Sequence, residues 1–182
     1  SSAESDVYKR QVLKFQPEAK VTALDFSTEM LELAHQQHGE NAHGLNYIRG
    51  DAMPPPFPKE YFEAVTIGYG LRNVADLSAC IKNILSLLKP SGVLVCLDVG
   101  KVNIPVIAQL NRFYFFKIVP LIGKWLMPGQ EMFDYLPHSS INYPDQKKLK
   151  KILLEVGFQK VDVYDFVFGA STIHVAQKPA SS

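Results

Sequence analysis

The sequence contains very few cysteines. Only Cys80 and Cys96 occur among 182 residues, one in a helical pattern and the other in an apolar run. Two isolated thiols form neither a disulfide framework nor a C-x-x-C metal site. The five histidines also lack thiolate or carboxylate partners at metal-ligand spacing, so we predict no metal site. We therefore expect a reducing compartment, such as the cytoplasm.

The chain has almost no excess of charge of either sign. Nineteen basic and eighteen acidic residues give a formal net charge of +1. A protein that holds nucleic acid neutralises phosphates with a basic surface, and this composition provides none. The run of lysines at positions 147, 148, 150 and 151 fits the solvent face of a helix. We therefore expect no nucleic-acid partner.

Long uninterrupted apolar segments are also missing. The most apolar region, residues 104–127, is broken by Asn111, Arg112, Lys117 and Lys124, too often for a membrane span. It remains apolar enough to contact a lipid or an apolar ligand. Three nucleotide or hydrolase signatures are absent as well: the G-x-G-x-x-G fingerprint after a strand, the G-K-[ST] phosphate loop and the G-x-S-x-G elbow.

What the chain does contain is an alternation of apolar strands and amphipathic helices, which predicts a single α/β domain. The short link at residues 168–170 predicts that the last two strands form an antiparallel hairpin on an otherwise parallel sheet. Residues 102–140 break the pattern with two or three aromatic-rich helical pieces. The predicted strands cover residues 20–25, 45–49, 64–68, 93–98, 160–167 and 172–177, and the helices cover about 28–38, 77–88 and 146–156.

Polar or small residues follow three successive predicted strands. Asp25 closes the first, Asp51 follows the second, and the loop Gly68-Tyr69-Gly70-Leu71-Arg72-Asn73 follows the third. Ligands of doubly wound sheets bind at the carboxyl ends of the strands, and a carboxylate there can accept both ribose hydroxyls. Asp25 alone fits equally well a charge that stabilises a helix N-terminus. The three loops together favour a nucleoside site.

Several motifs carry a resemblance to a known family. They are the loop from Gly68 to Asn73, the turn Leu88-Lys89-Pro90-Ser91-Gly92, and the runs Leu24-Asp25-Phe26-Ser27 and Tyr143-Pro144-Asp145-Gln146. With these motifs the chain resembles the C-methyltransferases of ubiquinone and menaquinone biosynthesis (UbiE/MenG type) over residues 12–178. The resemblance implies the Rossmann-like sheet of class I S-adenosylmethionine-dependent methyltransferases, with an antiparallel C-terminal strand.

The resemblance also implies S-adenosylmethionine as the methyl donor, and it assigns residues to the donor site. Asp25 would hold the ribose hydroxyls. Asp51 and Ala52 would address the adenine, through a side-chain acceptor and a backbone amide. Gly68 would border the methionine part of the donor.

The implied acceptor is a prenylated benzoquinol or naphthoquinol, whose ring carbon attacks the donor methyl after a hydroxyl loses its proton. The candidates for catalysis are Tyr69, Arg72, Asn73 and His138, with His138 standing where the family usually has an acidic residue. Arg72 stays protonated, so it would stabilise the developing phenolate or hold a water. A salt bridge that fixes the loop is the alternative role for Arg72.

The resemblance further predicts how the chain is organised. Residues 1–11 match nothing in the family and are expected to be an unrelated or disordered lead segment, and residues 179–182 a tail. Residues 12–178 would form a partial methyltransferase domain that lacks the first strand and the glycine-rich loop. The insertion at about 102–140 would cover the quinol ring and tail, or else form an ordinary helical cap.

Other functions stay open from the sequence. The chain could be a class I methyltransferase of another small molecule, or a methyltransferase-like binding or assembly domain without catalysis. A peripheral contact with a membrane and a homo-oligomer also stay open. The expected location is the cytoplasm if the source is bacterial, and the mitochondrion or plastid if it is eukaryotic. The sequence does not separate a benzoquinol from a naphthoquinol acceptor.

Overall fold

The computed structural model describes residues 12–29, 31–32, 36, 44–51, 53, 55–102, 109 and 143–180. The chain divides into two compact units, Ser1–Phe57 and Pro58–Ser182. The lead segment, the predicted insertion at 102–140 apart from residues 102 and 109, and residues 30, 33–35 and 37–38 of the predicted helix lie outside the described residues.

The first unit contains a two-stranded parallel sheet. Strand β1, Val21–Asp25, pairs in register with strand β2, Leu45–Arg49, so that Asp25 lies opposite Arg49. Both strands agree with the predicted ones. Residues 28–29 and 31–32 are helical, which confirms the predicted helix start after Asp25. The two strands therefore end side by side, as parallel strands in one sheet do.

The second unit contains a four-stranded mixed sheet in the order β3-β4-β6-β5. Strand β3, Phe62–Gly68, runs parallel to β4, Leu88–Val99. Strands β5, Lys160–Phe166, and β6, Ser171–Gln177, form the predicted antiparallel hairpin, and β6 is also antiparallel to β4. Within the described part of the chain, β1 and β3 each have a strand neighbour on one side alone.

Two helices of the second unit begin at the predicted capping residues. Helix α1, Leu77–Leu87, starts where the Asp76 carboxylate accepts the Ala79 N–H at 2.9 Å. Helix α2, Gln146–Val156, starts in the same way, with the Asp145 carboxylate accepting the Lys148 N–H at 2.9 Å. Each cap satisfies a backbone donor that has no partner inside its helix.

Helix α2 stops at Gly157, whose φ of 122° lies in a region that favours glycine. The core of the second unit lies where the helices meet the sheet. It is formed by Ile81, Ile84, Leu94, Leu149, Leu153, Phe158, Val161 and Ala176, all of them buried.

Strand β4 differs from its predicted form. Residues 89–92 were expected to be a turn, but the strand is continuous from Leu88 to Val99. Leu88 pairs with Phe62, and the next pair is Val93 with Ala64, so the intervening residues bulge out of the register. Two backbone hydrogen bonds join this bulge to the C-terminal segment. The Ser91 N–H donates to the Pro179 carbonyl at 3.2 Å, and the Lys178 N–H donates to the Gly92 carbonyl at 2.8 Å.

Candidate functional site

The first unit brings together the two predicted acidic strand ends. The Gly50 N–H donates to the Asp25 backbone carbonyl at 3.0 Å, which ties the exit of β2 to the end of β1. The Asp25 carboxylate accepts the Ser27 N–H at 2.9 Å, and the Asp51 carboxylate accepts the Met53 N–H at the same distance. Both bonds use Oδ1, so with respect to the described residues each carboxylate keeps Oδ2 as a further acceptor at the carboxyl end of the strands.

Close packing at Gly50 keeps this edge compact. A Cβ at this position would lie 3.0 Å from Leu24 Cδ1 and 3.1 Å from Pro56 Cγ. The proline segment therefore packs directly against the backbone between the two acidic residues. Ala52, which is also predicted to contact the methyl donor, lies outside the described residues.

The second unit contains the predicted acceptor loop at the end of β3. Tyr69 has a φ of 54°, in the left-handed region, and its N–H donates to the Leu97 carbonyl at 2.8 Å. A single 3-10 turn, Leu71–Asn73, follows, with Leu71 buried in the core. The Tyr69 hydrogen bond and the buried Leu71 side chain anchor the loop on both sides of Gly70. The turn directs the Arg72 side chain back towards β4.

Arg72 and Asp98 form a buried ion pair at the carboxyl end of β4. Arg72 Nη1 lies 3.1 Å from Asp98 Oδ1, and the side chains are 9% and 3% exposed. The guanidinium also lies over the Tyr69 ring, with Cζ 5.3 Å from the ring centroid. Arg72 Nε and Asp98 Oδ2 are buried without a hydrogen-bond partner in the described part of the chain.

The environment of Asp98 acts against its ionised form. Burial raises the pKa of Asp98, while the Val99 N–H and the positive charge of Arg72 offset this in part. Asp98 continues the buried face of β4 that carries Leu94 and Cys96. A carboxylate at the end of an apolar strand face depends on a fixed cation to remain charged.

Cys96 and Tyr143 pack beside this pair and stay protonated at neutral pH. Burial, and then the charge of Asp98, raise the pKa of Cys96 to about 12. Burial raises the pKa of Tyr143 well above its usual range, with Cys96 and Asp98 adding to the effect. Tyr143 is 6% exposed. Both cysteines are buried, and neither is in a disulfide bond.

Gln146, the first residue of α2, fixes the end of β4 to the hairpin. Its Oε1 accepts the Lys101 N–H at 3.1 Å, and its Nε2 donates to the carbonyls of Lys101 at 3.0 Å and Gly169 at 3.2 Å. The Gln146 backbone carbonyl lies 3.1 Å from His174 Nε2. The chain therefore leaves β4 at a position set by one buried amide side chain.

The predicted site residues fall into two groups. Asp25 and Asp51 meet in the first unit, while Gly68, Tyr69, Arg72 and Asn73 meet in the second. His138 lies outside the described residues. The salt bridge that was the alternative role for Arg72 is present, and a catalytic role stays a prediction.

Sequence reasoning assigned no role to Asp98, Gln146 or Tyr143. Asp98 carried a usable signal, because it closes an apolar strand just as Asp25 does.

No helix in the described ranges is both long enough and apolar enough to cross a membrane. The α/β sheet with its antiparallel last hairpin is that of class I S-adenosylmethionine-dependent methyltransferases. The fold is similar, for example, to phosphoethanolamine N-methyltransferase 2 of Haemonchus contortus, with a TM-score of 0.65 and 17% identity. That alignment covers 94% of this chain and 46% of the solved one.

Within this class the chain belongs to the ubiE/COQ5 methyltransferase family, whose model matches residues 3–178. The match includes most of the segment 1–11 that was expected to be unrelated to the family. The demethylmenaquinone methyltransferase of Leptospira interrogans is 48% identical over 164 residues, which is 88% of this chain and 66% of the relative. The enzyme of the same name from Staphylococcus haemolyticus is 38% identical over 163 residues, 90% of this chain and 68% of the relative. The chain thus spans about two thirds of these proteins.

Proposed function

We propose that the natural protein containing this chain is an S-adenosylmethionine-dependent C-methyltransferase that methylates the ring of demethylmenaquinol. The observation that carries the proposal is the 48% identity to a demethylmenaquinone methyltransferase over most of the chain. It favours a naphthoquinol over a benzoquinol acceptor, a choice that the sequence alone left open. A contact with the membrane and a homo-oligomer remain predictions.

The residues of the first unit fit the methyl donor by their chemistry. Asp25 and Asp51 present carboxylate acceptors at one edge of a parallel sheet, and each is held by a backbone N–H through one oxygen. Acceptors of this kind suit the hydroxyls of a ribose and the amino group of an adenine. By the family resemblance, Ala52 and Gly68 complete the contacts. When bound, S-adenosylmethionine supplies an electrophilic methyl group on its sulfonium.

The residues of the second unit fit the acceptor. A quinol hydroxyl loses its proton as the ring becomes nucleophilic, and negative charge then grows on that oxygen. The Arg72 guanidinium is fixed by Asp98 and by the Tyr69 ring, and the Arg72 side chain is 9% exposed. A preorganised cation stabilises such charge without having to reorient during the reaction.

Asp98 acts in this scheme as a positioning residue. It is 3% exposed, so it touches the substrate less readily than Arg72 does, and its carboxylate holds the guanidinium in one orientation. As the ring carbon forms its bond to the methyl group, the bond between methyl and sulfur breaks. The ring then loses the proton from the same carbon and becomes aromatic again. Tyr69, Asn73 and His138 remain candidates for the groups that accept these protons.

A radiolabel assay tests the proposed function. The natural protein is mixed with S-adenosylmethionine labelled in its methyl group and with reduced acceptors in detergent. We expect label in the quinone fraction with demethylmenaquinol, and a lower rate with the corresponding benzoquinol. Absence of label with both acceptors from a folded protein would refute the proposal and favour a non-catalytic methyltransferase-like domain.

A further inference from the structure

Three consecutive large apolar side chains are exposed at the turn between β5 and β6. Phe166 is 49% exposed, Val167 73% and Phe168 65%. We refer to these three residues as the hairpin tip. Apolar side chains scattered singly over a surface are common, but three adjacent ones at a projecting turn mark a contact surface.

The backbone holds the hairpin tip in a conformation that side chains seldom adopt. Val167 and Phe168 have φ values of 50° and 57°, in the left-handed region, where a β-branched residue is a clear outlier. Neighbouring bonds fix this shape. Ala170 N–H donates to the Val167 carbonyl at 3.1 Å, and Gly100 N–H donates to the Ala170 carbonyl at 3.0 Å. The exposed side chains are therefore presented by a braced turn.

The hairpin tip and the Arg72–Asp98 pair lie at the same end of the sheet, where β4 and β5 have their carboxyl ends. Asp98 pairs with Thr172 on β6, and Thr172 pairs with Asp165, the residue before the tip. Two strand spacings separate Asp98 from Asp165, or roughly 10 Å. A surface that contacts the hairpin tip would therefore also lie close to Arg72 and Asp98.

Positive charge lies next to the hairpin tip. Helix α2 begins at Gln146, whose side chain donates to Gly169 directly after the tip. The first turns of α2 expose Lys147, Lys148, Lys150 and Lys151. Lys151 faces Glu155 at 3.6 Å, and the other three have no ion pair among the described residues. Asp165, an acidic residue next to the hairpin tip, accepts a hydrogen bond from the Thr172 hydroxyl at 3.1 Å.

We propose that the hairpin tip inserts into the interfacial layer of an anionic phospholipid bilayer, with the exposed lysines of α2 against the headgroups. Aromatic and aliphatic side chains beside lysines are the composition of interfacial anchors. Three side chains bury far less than the roughly 800 Å² per partner of a stable protein interface, which argues against a second copy of this chain. The inference rests on the proposed function, because it brings the Arg72–Asp98 edge to a membrane-dissolved prenylated quinol.

Vesicle flotation of the natural protein tests the docking. The tip variant carries Val167→Asn and Phe168→Asn, since asparagine tolerates the left-handed region. The control is Tyr61→Asn, which removes an exposed aromatic ring next to the start of β3, at the opposite edge of the sheet. Vesicles of phosphatidylcholine with and without phosphatidylglycerol are compared. We expect binding to need phosphatidylglycerol, and the tip variant to bind at least about tenfold more weakly while the control binds normally.

Two acceptors separate docking from catalysis. With a short-chain quinol in solution the tip variant should methylate at the wild-type rate, whereas with a long-chain quinol in vesicles it should be slower. Unchanged flotation of the tip variant would overturn the docking proposal. A change in oligomeric mass without a change in flotation would also overturn it, in favour of a second copy. Loss of flotation in a protein whose wild type methylates neither quinol would retain the docking and reject the proposed function.

Discussion

The charged residues of the second unit show how strongly the value of a side chain depends on its surroundings. Lys89 and Glu63 form an ion pair at the surface, where water and salt screen both charges. Arg72 and Asp98 form one in the interior, where an unpaired charge is costly. Removing one partner of the interior pair therefore leaves a buried charge, whereas the surface pair contributes little to stability.

His174 is expected to make the stability of the protein depend on pH. It is 3% exposed, and burial lowers its pKa; the Gln146 carbonyl and Asp165 act in the opposite direction, and Lys150 acts with burial. The folded protein thus keeps His174 neutral, while the unfolded chain takes up a proton below about pH 6.5. Stability from this group is present above that pH and is lost as the pH falls. The free energy of unfolding should decline by up to about 1.4 kcal/mol per pH unit in that range.

Urea unfolding of the wild type and of His174→Gln measures this contribution. Glutamine keeps an N–H donor for the Gln146 carbonyl but does not titrate. The variant should therefore lose less stability between about pH 7 and pH 5.5 than the wild type does. A comparison near pH 8 isolates the packing cost of the substitution. Equal pH slopes for the two proteins would show that His174 is not held neutral by the fold.

Element boundaries were predictable wherever the determining contacts are local. Asp76 and Asp145 cap their helices from three residues away, and Gly157 ends α2 by its own conformation. The hairpin of β5 and β6 follows from its short link. The bulge at residues 89–92 was not predictable, because it depends on pairing with Phe62 and on the C-terminal segment.

The same distinction explains which site residues were missed. Asp25 and Asp51 bond to N–H groups two residues further along the chain, so local patterns identify them. Asp98 meets Arg72 across 26 positions, and Gln146 meets Lys101 across 45. Nothing in the local sequence of either strand or helix encodes these separations. Only the packing of strands and helices in the folded chain brings such residues together.

Gly100 allows the end of β4 to pack closely against the hairpin of β5 and β6. A Cβ there would clash with the Gly169 carbonyl and the Thr172 hydroxyl, and would come within 2.8 Å of Gln146 Nε2. Gly100→Ala must therefore push the end of β4 away from the hairpin, with an expected cost of about 1–3 kcal/mol or more. Gly70→Ala is the control, because its Cβ would meet only the Ile67 side chain closely, at 3.1 Å. Thermal unfolding of both variants decides, and equal melting temperatures would contradict the described contact.

At the scale of the whole molecule, fold and family were both predictable, since they rest on strand and helix order and on the loop from Gly68 to Asn73. The fold and the ubiE/COQ5 family are both confirmed. The domain limits and the individual site residues stay predictions. Residue roles depend on contacts with the donor and the quinol, which a sequence pattern does not describe.

The proposed function assigns the acceptor chemistry to Arg72, which Asp98 holds in place. Arg72→Lys keeps the charge but loses the planar fork that contacts Asp98 and stacks on Tyr69. Asp98→Asn removes the negative charge of the partner while keeping its shape. Asp162→Asn is the matched control, because Asp162 forms a surface ion pair with Lys160 at 2.8 Å.

The decisive measurement is kcat for demethylmenaquinol methylation by the natural protein and these three variants, alongside the Kd of S-adenosylmethionine and the folded fraction. We expect kcat to fall at least ~10²-fold in Arg72→Lys and clearly in Asp98→Asn, with wild-type Kd in both and normal values in Asp162→Asn. Normal kcat per folded molecule in Arg72→Lys would refute the catalytic role of Arg72, and so would a defect confined to the Kd of the donor. The salt bridge would then serve only to fix the loop.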